Sequence, residues 1–333
     1  KEKLIMTILW CGGEDIDFKT LSIYSTSTSS SNMRSGYARL SLNIQTGAPQ
    51  FGVSNPFPSG NVLSAWLSFR IKVATMGANI RLCGLGSSSY TSRGIFVASS
   101  STTTKLALKK YDGTTLTELA AEAGESLTTT GIHKIDMQII DYGDSATVNV
   151  YCNGNLVITY TGDITVSGIS SLDCVQLGNS SLATSYYLSE IIVSDTDSRN
   201  MSLVTNYPSA AGDSNSWTGG YTDIDETTIN DADVVYDNTV GHQALFGLSD
   251  LPAGSFSVLA VKEAIRACKS SDSTPTSINL GVKSGGTVNV NDNHSLSTSW
   301  ETKERYMSTN PVTGNPFTTS EVDSLQLALE AAA

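Results

Sequence analysis

Apolar and polar residues alternate through the first two thirds of this chain, and that period of two restricts the fold more than any other feature. Successive side chains of an extended strand point to opposite faces, so such a pattern buries one face of a sheet. Val62–Val73 places Leu63, Ala65, Leu67, Phe69, Ile71 and Val73 on one parity, with Trp66 on the other. Both faces carry bulk, which predicts a long strand with one face in a core and the other partly covered. Ile132–Ile140 reads as a further strand and is followed by a turn signal at Asp141-Tyr-Gly-Asp144. Ala146–Cys152 runs into Asn153-Gly154, the strongest short hairpin signal, and returns as Leu156–Tyr160. Tyr186–Val193 is another strand. Glycine-bearing turns at short spacing predict antiparallel sandwiches, not alternating strands and helices.

The texture changes between Ser194 and Trp217, where Asp, Ser, Asn and Gly accumulate. A domain boundary is expected near residue 200, giving domains 1–200 and 201–333. Past an acidic loop, Asp223–Asp233, strands are expected at Val240–Leu248 and Ser255–Cys268. The segment 258–268 is ambiguous. Its residues favour helix and place Val258, Val261, Ile265 and Cys268 on one helical stripe. Phe256, Val258 and Ala260 also fit one strand face, and the short β-like neighbours tip the reading to strand. Near the end, Thr318-Thr-Ser-Glu321 forms a capping box that predicts a short helical turn. Leu325, Leu327 and Leu329 then alternate as in a strand. The expected class is all-β, two antiparallel β-sandwich domains in tandem.

Composition removes several functions. A net charge of −12 argues against nucleic acid, because phosphate contacts need a basic patch and Lys109-Lys110 is the longest basic run. No apolar run approaches the roughly 20 residues of a membrane span, and Leu4–Trp10 is too short for a signal core. Five cysteines, Cys11, Cys83, Cys152, Cys174 and Cys268, lack zinc-type spacing and are expected reduced, with one disulfide left open. His133, His242 and His294 belong to no metal-ligand pattern. No cofactor is expected.

Several segments resemble bacteriophage virion proteins with a concanavalin A-like (laminin-G-like) jelly roll. They are Met6–Phe18, the Trp66 strand, the hairpin Tyr151-Cys-Asn-Gly-Asn-Leu-Val157, and Leu188–Asp195 with Asp195-Thr-Asp-Ser-Arg199. In the second domain, Pro208–Asp213, Trp217–Glu226, Thr309–Phe317 and Val322–Gln326 are similar to the same proteins. The resemblance spans most of the chain. It implies a jelly-roll first domain and a non-enzymatic role on the head or tail surface, with other virion subunits as partners and a homo-oligomeric state. The alternative is an adhesin for host surface polysaccharide, and a less favoured one is a glycoside hydrolase.

Jelly rolls also carry glycosidases, whose paired carboxylates stand about 5–5.5 Å apart in retaining enzymes. In Glu14-Asp-Ile-Asp-Phe-Lys19, Asp15 and Asp17 share a face but Lys19 breaks the acidic ladder. No Gly-x-Ser-x-Gly elbow occurs, and Gly84-Leu-Gly86 lacks the rest of a dinucleotide motif. No catalytic residue is assigned. Asp223 and Asp225 are the candidate calcium ligands, although the glycine and bidentate glutamate of a calcium loop are missing. Aromatic rings on loops make sugar platforms. Tyr90, Tyr111, Tyr142, Trp217 and Tyr221 read as loop-borne rings, and of these Trp217, Tyr221 and Tyr142 are the candidate glycan-binding residues.

Overall fold

Antiparallel pairing organises every sheet among the described residues. The computed structural model describes residues 8–12, 17–22, 42–45, 51–54, 56–90, 92–101, 105–128, 131–178, 185–226, 229–270 and 274–333. Glu14 and Asp15, the Ser25–Ser31 tract and residues 102–104 lie outside them. The chain divides into two units, Lys1–Leu203 and Val204–Ala333.

The strands of the first unit are β1 (Ile8–Gly12), β2 (Phe18–Ser22), β3 (Leu42–Gln45), β4 (Phe51–Ser54), β5 (Ala65–Thr75), β6 (Arg81–Gly86), β7 (Gly94–Ser99), β8 (Leu106–Tyr111), β9 (Leu116–Ala121), β10 (Ile132–Ile140), β11 (Ala146–Cys152), β12 (Asn155–Gly162), β13 (Cys174–Gly178) and β14 (Ser185–Ser194). One sheet runs β1-β14-β5-β10-β11-β12, with β3 also on β14; the other runs β2-β4-β13-β6-β7-β8-β9. Between them lie Leu67, Phe69 and Ile71 of β5, Ile135, Met137 and Ile139 of β10, and Cys83, Leu85, Ile95 and Val97 of β6 and β7, all buried. The alternation in the sequence is thus the alternation of the pleat. Leu63 is the exception, 51% exposed, because the chain bends before β5 begins and its carbonyl accepts the Tyr142 N–H. At the β11–β12 turn, Asn153 and Gly154 take φ of 51° and 83°, which a two-residue hairpin requires.

The second unit contains β15 (Pro208–Asn215), a 3₁₀ turn at Tyr221–Asp223, β16 (Gln243–Leu248), β17 (Val261–Ala267), β18 (Ser277–Ser284), β19 (Thr287–Ser295), β20 (Glu301–Met307), α1 (Thr319–Asp323) and β21 (Gln326–Ala332). A five-stranded sheet, β15-β16-β21-β18-β19, is accompanied by the ribbon β17-β20. The ambiguous 258–268 segment is a strand from Val261. Pairing along the whole of β20 satisfies its backbone, which outweighs the helix propensity of its residues. The strand expected from Val240 begins at Gln243, after Gly241 at φ 87°. Thr318 accepts the Glu321 N–H and Glu321 reaches back to Thr318 N, so the capping box forms as its residue types require.

All five cysteines are free thiols, and all but Cys268 are buried. Burial pushes the Cys152 thiol up to about 11, which removes any reactive thiolate there at neutral pH.

Candidate functional site

The residues singled out from sequence do not meet in one place. Tyr142 follows Asp141, which holds φ 55°, and is only 6% exposed. Its hydroxyl accepts the Val166 N–H at 3.0 Å and faces the Ile169 carbonyl at 3.5 Å. It braces the 163–169 loop from inside, so the expectation of a sugar platform at Tyr142 is corrected. Tyr142→Phe should lower the stability of the first unit by about 1–2 kcal/mol, since Val166 N–H is left buried and unpaired. Denaturant melts compared with wild type check this.

Trp217 and Tyr221 do come together, half-buried against Ala244, Phe246, Ile278, Leu280 and Leu329 of the second unit. Trp217 Nε1 donates to the His242 carbonyl at 3.0 Å. Both rings therefore spend their apolar area on the core. Asp223 accepts the Gly220 N–H at 2.7 Å and caps the 3₁₀ turn. Asp225 and Asp233 lie close enough to raise the Glu226 carboxyl, behind the larger effect of burial. No group of three or more metal-type side chains occurs among the described residues, so Asp223 and Asp225 do not form a calcium cage there.

Two faces of the first unit carry polar clusters of which the sequence pointed only to the rings of Tyr90 and Tyr111, and Tyr111 closes strand β8 instead of lying on a loop. On the face of β5, β10 and β11 turned from the core, the segment after β14 is latched down. Lys134 Nζ donates to the carbonyls of Ser198, Arg199 and Met201 at 3.1, 2.7 and 2.6 Å. Ser68 bonds both Asp136 and Ser198. Asp136 is fully buried, and burial raises its carboxyl above the usual range against the opposing Ser68 hydroxyl and Lys134 charge. Arg199, held by Asp197, lies over the stacked rings of Trp66 and Tyr151. These rings are covered by a guanidinium of the same unit.

The opposite outer face, on β13, β6, β7 and β8, is built differently. Register places Gln176 beside Gly84, Gly84 beside Phe96, and Phe96 beside Lys109. Gly94 likewise pairs Tyr111. Glycines make room for the side chains lying across this face. A Cβ on Gly86 would come within 2.7 Å of the Gln176 amide. Gln176 is fully buried and its Nε2 donates to the carbonyls of Ser87 and Tyr90 at 3.0 and 2.7 Å. Its Oε1 is buried without a donor. Arg81, 9% exposed, stacks its guanidinium on Tyr111 at 3.9 Å and over Phe96 at 5.4 Å. Its one side-chain hydrogen bond among the described residues goes from Nη1 to the Ser92 carbonyl, at 3.0 Å. Lys109, by contrast, is satisfied by Glu118 at 2.9 Å and Asn79 at 2.6 Å. Tyr111 is half-buried and its hydroxyl donates to the Gly113 carbonyl at 2.9 Å. At the rim, Arg93 stacks on Tyr90 at 4.5 Å.

No protein-family model and no curated protein sequence matches this chain. Solved structures resemble it at a distance. An endo-β-1,4-glucuronan lyase from the fungus Trichoderma reesei is 11% identical with a TM-score of 0.41, over 57% of this chain and 96% of that one. The carbohydrate-binding module CBM66 from Bacillus subtilis is 11% identical with a TM-score of 0.33, over 45% and 84%. The cellulose-induced protein Cip1 is 13% identical with a TM-score of 0.37, over 53% and 86%. The chain's own sheets give its class: it is all-β, with antiparallel sandwich architecture. What the chain binds has to be read from its own residues.

Proposed function

We propose that this chain is a non-catalytic carbohydrate-binding protein whose ligand lies on the outer face of β13, β6, β7 and β8. The observation that carries the reading is unused polar capacity beside aromatic rings. Gln176 Oε1 is buried without a donor, and Arg81 is buried with one hydrogen bond among the described residues, next to Phe96 and the partly open ring of Tyr111. Orphaned buried polar atoms cost free energy unless something completes them. A sugar offers the complement, with C–H faces for a ring and hydroxyls for a lone acceptor.

Binding is favoured over turnover by the state of the neighbouring groups. The Tyr111 hydroxyl is engaged with Gly113, and the Lys109 ammonium with Glu118 and Asn79. Both donors are committed to partners within the unit. The sequence resemblance to tailed-phage surface proteins supports reading this binder as a host-attachment component of a virion. Immunogold labelling of particles is the corresponding test, and absence of label on every particle would end that part of the reading.

In gels cast with a panel of polysaccharides, the native protein should be retarded by at least one of them. Tyr111→Ala should weaken that retention about tenfold, the worth of one ring contact. Thr161→Ala, on exposed β12, should be retarded like the wild type. Free migration in every gel, or full retention of Tyr111→Ala, would refute the assignment.

A further inference from the structure

We propose that the sugar taken by this face is carboxylated, and that Arg81 receives its carboxylate edge-on. This rests on the carbohydrate reading above and adds the ligand's chemical class. The first ground is charge. Three other buried or half-buried cations of the first unit have acidic partners: Arg70 pairs with Glu190 at 2.9 Å, Lys109 with Glu118, and Lys134 lies 3.9 Å from Asp136, whereas the half-buried Arg93 and Lys105 reach carbonyls. Arg81, as deeply buried as most of these, faces no carboxylate among the described residues. A guanidinium stays protonated under all ordinary conditions, so its desolvation is not relieved by losing the proton. A buried charge left this way is completed by an anion.

The second ground is shape. With Tyr111 on one side at 3.9 Å and Phe96 over it at 5.4 Å, the planar guanidinium is approached along its edge. Paired N–H groups along that edge match a planar carboxylate, which accepts two parallel hydrogen bonds.

The third ground excludes a simple anion. Gln176 Oε1 needs a donor, and a bare carboxylate or phosphate dianion has none to give. Gln176 and Gly178 are alternate residues of β13 and share its outer face. The Arg81 Nε lies 3.0 Å from where a Gly178 Cβ would stand. The two unsatisfied groups therefore belong to one face of the sheet. A sugar bearing both a carboxylate and hydroxyls offers a complement to each. Uronic acid residues have this chemistry.

The test uses calorimetric titration of the full chain with galacturonate, glucuronate and mannuronate tetramers, each beside its carboxyl-reduced, neutral counterpart. At least one acidic tetramer should bind 30-fold or more tighter than its neutral twin. Arg81→Gln should bind both members of that pair alike. Arg81→Lys, which keeps the charge but not the fork, should retain only a small part of the preference. Equal binding of acidic and neutral tetramers by the native protein would overturn this inference while leaving the carbohydrate reading intact. Binding of neither set, together with free migration in all polysaccharide gels, would overturn both. The comparison between ligands needs no variant, so a folding defect in Arg81→Gln cannot obscure it.

Discussion

Replacing Glu263 by glutamine should abolish most of the pH dependence of stability in the second unit. Glu263 lies on β17, 6% exposed, and burial pushes its carboxyl up to about 8. Arg305 opposes that shift, but its hydrogen bonds go to the Leu280 and Asn289 carbonyls and to Asn289 Oδ1. Among the described residues the Glu263 carboxyl accepts one hydrogen bond, from the Gly281 N–H at 3.2 Å. In the unfolded chain this group ionises near 4.5. Between those two values the folded unit holds a proton that the unfolded chain has released. Its contribution to stability is complete below about 4.5 and is lost as pH rises towards 8. The slope is about 1.4 kcal/mol per pH unit, so on the order of 4 kcal/mol disappears between pH 5 and 8. Thermal melts of the full chain at pH 5, 6.5 and 8 should show the transition of the second unit moving down. In Glu263→Gln it should stay nearly level. A wild-type transition that does not move, or one that moves equally in the variant, would contradict this account of the ribbon.

Lys134→Met should be the most damaging single change in the first unit, at about 3–5 kcal/mol. The ammonium serves three backbone carbonyls and stands 3.9 Å from the fully buried Asp136. Methionine keeps much of the volume, so the loss is electrostatic. Three carbonyls lose a charged donor, and a buried acid loses its nearest cation. A second change separates the causes. In Lys134→Met with Asp136→Asn the buried acid is gone, and roughly half the loss should return. Urea unfolding followed by Trp fluorescence reads both variants. A Lys134→Met midpoint equal to wild type would show that the segment after β14 is held by something other than this latch.

Local chemistry made parts of the fold readable. Asn153-Gly154 specifies its own turn, and Thr318 with Glu321 specifies its own cap. The alternation of Leu67, Phe69 and Ile71 depends only on the pleat. The face proposed to bind was readable only in its ring at Tyr111, because its members meet through pairing across distant sequence. Arg81, Phe96, Tyr111 and Gln176 come from four strands, and nothing near Gln176 announces that β13 will lie beside β6. Tyr142 misled for a related reason. Asp-Tyr-Gly reads as a solvent turn, yet the backbone of that turn reverses over the core and carries the ring inward. Trp217 and Tyr221 sit in a polar, glycine-rich stretch, but a five-stranded sheet with a narrow ribbon needs large rings to fill its core. The strand at Val261–Ala267 shows the same limit from the other side: its residues prefer helix, and only β20 decides.

Hydrogen–deuterium exchange of the full chain, with and without a saturating uronate tetramer, tests the central claim most directly. Protection should appear in peptides covering 81–86, 93–98, 106–113 and 174–178, with peptides across 215–226 unchanged. Protection confined to 215–226 would place the sugar at Trp217 and Tyr221 and contradict the assignment to the first unit.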